Sequence, residues 1–287
     1  MSLRNNVTIV TAYFDIGTLV KGDKNNVRNS STYQEWMSIF QYIENPLYAY
    51  VDTIENFEAF KKIRMQYNDK TKIILIEKNK LWGFNLKDNI SQIFSSPFYP
   101  KFHPNTINPD YSCAMHAKYG AMNQSLYDNA FRTKYFAWLD IGYFGRAIND
   151  IHSPFGIYLP YNFNEREVSY GEVYNPERIT LKQIIENNEV WVGGGFFIAT
   201  INVMKKWVDD YMYYTEKFIE LGLISTDQQV IYGLIQPSVQ ENSNFRNRKV
   251  SINKYISTHD KWRAIGYNCT YNSNVKLQGG IYKFIND

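Results

Sequence analysis

Val7-Thr8-Ile9-Val10-Thr11-Ala12-Tyr13 opens the part of the chain that decides its fold. The run is β-branched and mostly apolar, the composition of a strand buried on both faces. Phe14 to Asn29 is polar and contains glycine, and it reads as a loop. Ser30, Ser31 and Thr32 offer N-caps for a helix carrying Trp36, Phe40 and Ile43, which Pro46 ends. Leu47 to Val51 predicts a second strand, and Phe57, Phe60, Ile63 and Arg64 lie on a following helix. Lys72-Ile73-Ile74-Leu75-Ile76 predicts a third strand. This β-α-β-α-β alternation implies parallel strands joined by right-handed crossovers. The expected fold class is therefore α/β, with a mainly parallel, doubly wound sheet. Such sheets bind ligands beyond the carboxyl ends of their strands, so Tyr13 and Asp52 mark the expected site before any motif is invoked.

Further along, residues 95–110 hold Pro97, Pro100, Pro104 and Pro109 and read as an irregular connection. Tyr111 to Asn129 has helical periodicity. Tyr135-Phe136-Ala137-Trp138-Leu139-Asp140 is an apolar strand that ends in one acid. Residues 155–175 suggest short antiparallel strands and turns. Val190 to Thr200 reads as a strand pair or a bulged strand around Gly193-Gly194-Gly195. Val203 to Leu221 and Asp227 to Leu234 read as helices, the second capped by Ser225 and Thr226. The remainder is mixed short strands and loops. With no internal repeat and no linker composition, residues 1–287 read as a single domain. Its nucleotide-side half runs to about residue 142, and a smaller mixed or antiparallel half on the acceptor and sugar side completes it.

The bulk properties narrow the function classes. With 44% hydrophobic residues the 287-residue chain can bury a core without disulfide or metal. The abundance of Asn, Ile, Lys and Tyr is what an AT-rich genome produces; carbohydrate stacking is the second account of the 24 Tyr and 18 Phe. A net charge of +3, from 31 basic and 28 acidic residues, argues against a nucleic-acid binder, which carries a concentrated basic face. Cys113 and Cys269 have no metal spacing and fit a reducing compartment. No apolar run approaches the ~20 residues needed to span a bilayer. A cytoplasmic protein is expected, with peripheral membrane contact left open.

Five constellations could carry chemistry. Asp140, in Trp138-Leu139-Asp140-Ile141-Gly142, could hold a divalent cation, Mn²⁺ or Mg²⁺, against a diphosphate; the plainer reading is an Asp that starts a turn. Gly193-Gly194-Gly195-Phe196-Phe197 marks a bulge or a close approach of backbone to ligand. It is not a phosphate-binding P-loop, because no G-x-x-x-x-G-K-[ST] exists. Asp227-Gln228-Gln229 opens a helix, where an acid favours the dipole or serves as a base or substrate clamp. Thr258-His259-Asp260-Lys261-Trp262 could supply a metal ligand, a phosphate-binding cation and a ring, or be an exposed loop. Arg28, Arg64 and Lys118 could meet a pyrophosphate, although each alone reads as a solvated charge. His103, His116 and His152 have no second ligand at helical spacing. Protease, esterase and thiol-catalysis motifs have no positive signal.

Taken in order, these features resemble the bacterial HtrL/YibB-like family, a family of glycosyltransferase-like proteins. The blocks are Thr8 to Gly17, Tyr33-Gln34-Glu35-Trp36-Met37, Ile43 to Leu47, Tyr50-Val51-Asp52, Trp138 to Tyr143, Gly193 to Phe197 and Asp227-Gln228-Gln229. Their order is also similar to retaining GT-A enzymes of the glycogenin and lipopolysaccharide-galactosyltransferase type. Asp140 matches the first acid of the D-x-D that binds Mn²⁺ there, whereas Gly142 stands where the second would be. His259-Asp260-Lys261-Trp262 is similar to the late H-x-x-G-x-K-P-W segment without its Gly and Pro.

The resemblance implies a GT-A-like fold and transfer of a sugar from a nucleotide-sugar, UDP-linked, to a glycan, lipid-linked or protein acceptor. It places Thr11, Ala12 and Tyr13 on base and ribose and Asp52 on the base edge. Asp140 with His259 would hold the metal–diphosphate, assisted by Arg28, Arg64 or Lys118. Gly193, Gly194, Lys261 and Trp262 would line the sugar and acceptor side, and Asp227 and Gln228 would touch the reacting sugars. A chain that binds nucleotide-sugar without transfer is the rival reading, and Gly142 is its best support. An interaction protein is the third.

Overall fold

The computed structural model describes residues 7–22 and 26–270, with the backbone of 275–278 and 281–284. The three early strands form as read. They are β1 (Val7–Tyr13), β4 (Leu47–Val51) and β5 (Thr71–Leu75); between β1 and β4 lies a small unpredicted ribbon of β2 (Leu19–Val20) and β3 (Val27–Arg28). The Phe14–Asn29 segment is thus not wholly loop. The strands β6 (Tyr135–Leu139), β7 (Val168–Glu172), β8 (Val192–Thr200) and β9 (Ile252–Tyr255) complete the central sheet. A separate hairpin, β10 (Val275–Gln278) and β11 (Ile281–Phe284), follows.

The seven-stranded sheet has the order β5-β4-β1-β6-β8-β7-β9. Strands β5, β4, β1 and β6 are parallel, with Thr11 opposite Ala49 and Val10 opposite Trp138. Strand order reverses between β1 and β6, which opens a crevice at their carboxyl ends. β8 runs antiparallel to both of its neighbours, whereas β7 and β9 pair in parallel. The C-terminal part is therefore mixed, as its short strands predict. One sheet nevertheless spans both halves of the chain.

Period-two alternation splits the core into two layers. Val10, Tyr48, Tyr50, Phe136 and Trp138 face the helices Pro109–Asp128 and Ile201–Glu220. Ile9, Ala49, Ala137, Leu139 and Ile198 face the layer that holds Met37, Phe40 and Phe60. Helices thus cover both faces. Three local readings need correction. The first helix, Ser30–Met37, is capped by Asn29, whose side chain accepts from the Thr32 amide at 3.0 Å. The Val190–Thr200 segment is one nine-residue strand. The irregular register lies on its partner β7, between Tyr170 and Glu172.

The helix Pro109–Asp128 positions the site from below. Asn108 caps it by accepting the Tyr111 amide at 3.1 Å, Pro109 starts it, and Asn129 ends it in the left-handed region at φ 33°. Thirteen of its 20 residues are buried, Lys118 and His116 among them. Between Tyr111 and Met122 nearly every side is buried, so that stretch carries its polar groups into the interior.

Candidate functional site

A cleft of about 630 Å³ opens at the carboxyl ends of β1 and β6. Because β8 runs the other way, its first residues arrive at this same edge. Asp140, one residue beyond β6, donates its amide to the Gly195 carbonyl at 2.9 Å. The helix Asp227–Leu234 points its first turn at these glycines; Gln229 Oε1 accepts from the Thr226 hydroxyl at 2.7 Å and holds that end.

One end of the cleft is aromatic. Tyr13 and Tyr33 stack with ring centroids 5.4 Å apart, and Trp36 meets Tyr33 edge-on at 5.4 Å. Arg28 lies 5.0 Å over the Trp36 ring. Burial holds the hydroxyls of Tyr13 and Tyr33 above their ordinary pKa, so both remain neutral donors. Gly142 and Gly145 make room for Trp36. A Cβ on Gly142 would stand 2.6 Å from Trp36 Cε3, and one on Gly145 would stand 2.7 Å from its Cε2. The glycine that replaces the second acid of D-x-D is thus the floor on which this indole rests.

The other end is ionic. Lys118 Nζ lies 3.0 Å from Asp227 Oδ2, 3.2 Å from Asp140 Oδ1 and 3.1 Å from the Gly194 carbonyl. The side chains of Lys118 and Asp227 are each only 3% exposed. Trp138 Nε1 donates to Asp140 Oδ1 at 2.6 Å. Burial alone would lower the Lys118 pKa, but Asp140 and Asp227 outweigh it and hold the ammonium above its ordinary value. Asp227 is pushed up by burial and by Asp140, against the pull of Lys118. The ammonium is thus firmly charged and the buried acid is the softer partner. Gly194 is forced by this cluster, since a Cβ there would stand 2.3 Å from Asp227 Oδ2.

Of the residues expected from sequence, Ala12, Tyr13, Arg28, Lys118, Asp140, Gly194, Asp227, Gln228 and Trp262 line this one hollow. Six do not line it. Thr11 is fully buried and its hydroxyl donates to the Leu139 carbonyl at 2.6 Å, a staple between β1 and β6 rather than a base contact. Asp52 accepts the Asp15 amide at 3.1 Å and pairs with Lys78 at 3.0 Å, so it braces the loop after β1. Arg64 is 1% exposed and donates to the carbonyls of Phe40, Ile43 and Asn45, outside the cleft. Burial brings its pKa down to about 10. Gly193 lies against the Trp262 carbonyl. His259 and Lys261 are exposed, and their neighbour Asp260 lines the cleft in their place.

Sequence reasoning missed Tyr33 and Trp36 as site residues, and also Lys21, Arg146 and Arg263. Arg263 donates to both Asp260 oxygens, at 3.1 and 3.2 Å, and to the Tyr143 carbonyl at 3.1 Å. The Asp-x-x-Arg spacing could have signalled that pair. Tyr174 and Trp262 meet edge-on at 6.3 Å at the mouth, 55% and 43% exposed. No helix among the described residues is long and apolar enough to cross a membrane.

A family model described as "Bacterial protein of unknown function (HtrL_YibB)" matches residues 5–239. That stretch includes every wall of the cleft except the 260–263 rim. Comparison with curated proteins gives no match.

Proposed function

We propose that this chain, which belongs to the bacterial HtrL_YibB family, binds a nucleotide-sugar in the cleft and transfers its sugar to a hydroxyl acceptor. The observation that carries this reading is the shared hollow. Tyr13 and Tyr33 offer a ring shelf for a base, and Asp140, Lys118 and Asp227 lie at the other end of the same space, at the strand-order reversal.

Transfer breaks the bond between the sugar's anomeric carbon and the diphosphate oxygen. The nucleoside diphosphate leaves with the electron pair, and the acceptor hydroxyl loses its proton as its oxygen bonds to the sugar. Fixed cations in a partly closed site stabilise the departing charge. Asp227, held above the ordinary carboxylate range by burial, is the group poised to take the proton. Gln228 lines the cleft beside it, its amide donating to the Val192 carbonyl at 3.1 Å. Tyr174 and Trp262 present apolar ring faces at the mouth, a surface suited to a glycan or glycoconjugate acceptor.

The test is binding, then turnover. UDP at ~100 times its dissociation constant should stabilise the chain by roughly 2.7 kcal/mol. UDP release from UDP-sugars should be lost in Asp227→Asn. Absence of any thermal shift with UDP, GDP or CMP would turn the proposal down. A second reading, nucleotide-sugar binding without transfer, is favoured by one observation: Asp227 is buried and already paired with Lys118. UDP binding with no release from any UDP-sugar would select it.

A further inference from the structure

Divalent-metal binding is what the D-x-D resemblance leads one to expect, and the side chains at the site do not fit a metal. The position of the second acid is Gly142, where any side chain would run into Trp36. Asp140 Oδ1 already takes a hydrogen bond from Trp138 and an ion pair from Lys118. The other nearby acid, Asp227, is tied by Oδ2 to the same ammonium. Lys118 meets three acceptors, Asp140, Asp227 and the Gly194 carbonyl, which matches the three N–H bonds of an ammonium. A divalent cation between these carboxylates would have to expel a buried, hydrogen-bonded positive charge. Among the described residues no group of three or more His, Cys, Asp or Glu is arranged to hold a metal.

The cleft supplies positive charge by other means. Among the described residues five cationic side chains line it: Lys21, Arg28, Lys118, Arg146 and Arg263. Among the same residues three are carboxylates: Asp140 and Asp227, both satisfied by Lys118, and Asp260, satisfied by Arg263. These described side chains carry an excess of two positive charges, and the diphosphate of a nucleotide-sugar is a dianion. Lys21 and Arg146 are exposed at the rim, and among the described residues no carboxylate pairs with them or with Arg28. Arginine and lysine are sufficient phosphate ligands, through bidentate forks and point charge respectively.

Building on the nucleotide-sugar reading, we propose that the protein neutralises the diphosphate with its own rim cations, Lys21, Arg28 and Arg146, and needs no divalent metal to bind it. Lys118 is the internal counter-ion that holds Asp140 and Asp227 in place. The leaving diphosphate keeps the electron pair of the broken bond, and its charge is met by side chains that are present before substrate arrives.

The experiment is calorimetric titration of UDP into the full chain, once with a chelator and once with Mn²⁺. The wild type, Lys21→Gln and Arg146→Gln are compared, and uridine is the uncharged probe. Both substitutions are at exposed positions and should leave folding intact, which unchanged urea midpoints check. The expected result is a wild-type affinity for UDP that changes less than about threefold between chelator and Mn²⁺. Each substitution should weaken UDP by about fivefold to tenfold and leave uridine unchanged, the size expected for losing a charge-assisted contact. UDP bound only with Mn²⁺ would overturn metal independence and leave the nucleotide reading standing. UDP bound in chelator but indifferent to both substitutions would overturn the rim assignment. Binding of neither UDP nor uridine in either buffer would remove the nucleotide reading and this inference together.

Discussion

Lys118→Met is the most informative single change, because it keeps the volume of the side chain and removes its charge. In the wild type one ammonium, 3% exposed, serves two carboxylates at 3.0 and 3.2 Å. Without it, Asp227 stays buried with no counter-charge. Breaking a buried pair by removing one partner costs about 3–5 kcal/mol. With a urea m-value of about 3 kcal/mol/M, that loss lowers the unfolding midpoint by about 1–2 M at pH 7. The pH dependence identifies the cause. The Asp227 pKa is already raised by burial and, without Lys118, rises further. A carboxyl with a raised folded pKa destabilises increasingly as pH climbs above its unfolded value, until the folded value is reached. The gap between variant and wild type should therefore narrow from pH 8 to pH 5, where Asp227 in the variant takes up a proton. The measurement is urea unfolding of both proteins across that range. A fall in midpoint below about 0.3 M at pH 7, about 1 kcal/mol on the same m-value, or a gap that does not move with pH, would refute the idea that this lysine is a buried counter-ion.

Gly194→Ala places a Cβ 2.3 Å from Asp227 Oδ2 and should cost about 1–3 kcal/mol and abolish the UDP thermal shift. Gly193→Ala, whose nearest atom is 3.5 Å away, should stay within about 0.5 kcal/mol of wild type. His116 is kept neutral by burial, with its pKa lowered to about 3. Its contribution is fully present above pH 6.5 and is lost as pH falls toward 3, by up to about 5 kcal/mol. A His116→Phe variant should show a flatter acid limb in the urea midpoint. Arg64→Met should destabilise by about 3 kcal/mol or more, since three backbone carbonyls lose a charged donor. Its affinity for UDP, measured by titration, should match wild type, because Arg64 lies outside the cleft.

The parallel half of the fold was legible because each strand is a short apolar run and each crossover is a helix with its own period. Val7–Tyr13, Leu47–Val51 and Asp227–Leu234 form with the bounds their sequence suggests. The place of Asp140 on the cleft was legible from its position at the tip of a buried strand. Arg64 and Thr11 were misread for one reason. Sequence shows that a polar group lies near a strand end, not whether the backbone next to it needs that group. Arg64 answers carbonyls of the 40–45 segment, and Thr11 answers Leu139, 128 residues away. The same limit hid the pairing of Lys118, which the sequence offers only as a charge for a pyrophosphate. A lone lysine in mid-helix looks solvated, and the acids that bury it lie 22 and 109 residues downstream.

The reversed strand explains why three glycines stand where a strand should have side chains. Had β8 run parallel to β6, its first residues would lie at the far edge of the sheet, and Gly193-Gly194-Gly195 would be an unexplained weakness in a core strand. Antiparallel pairing, with Leu139 opposite Phe196, brings them beside Asp140. Successive residues of a strand face opposite ways. Gly194 therefore clears space for Asp227, and Gly195, whose Cβ would stand 3.0 Å from the Tyr143 ring and 3.4 Å from Asp140 Oδ2, clears it on the other side. Strand direction leaves no mark on hydrophobic periodicity, which is why the sequence left a bulge and a close approach of backbone to ligand both open. The glycines are the trace of that direction: a strand interior gives up side chains at a cost in stability, and here their absence lets two acids and one lysine close on each other at the edge where the cleft opens.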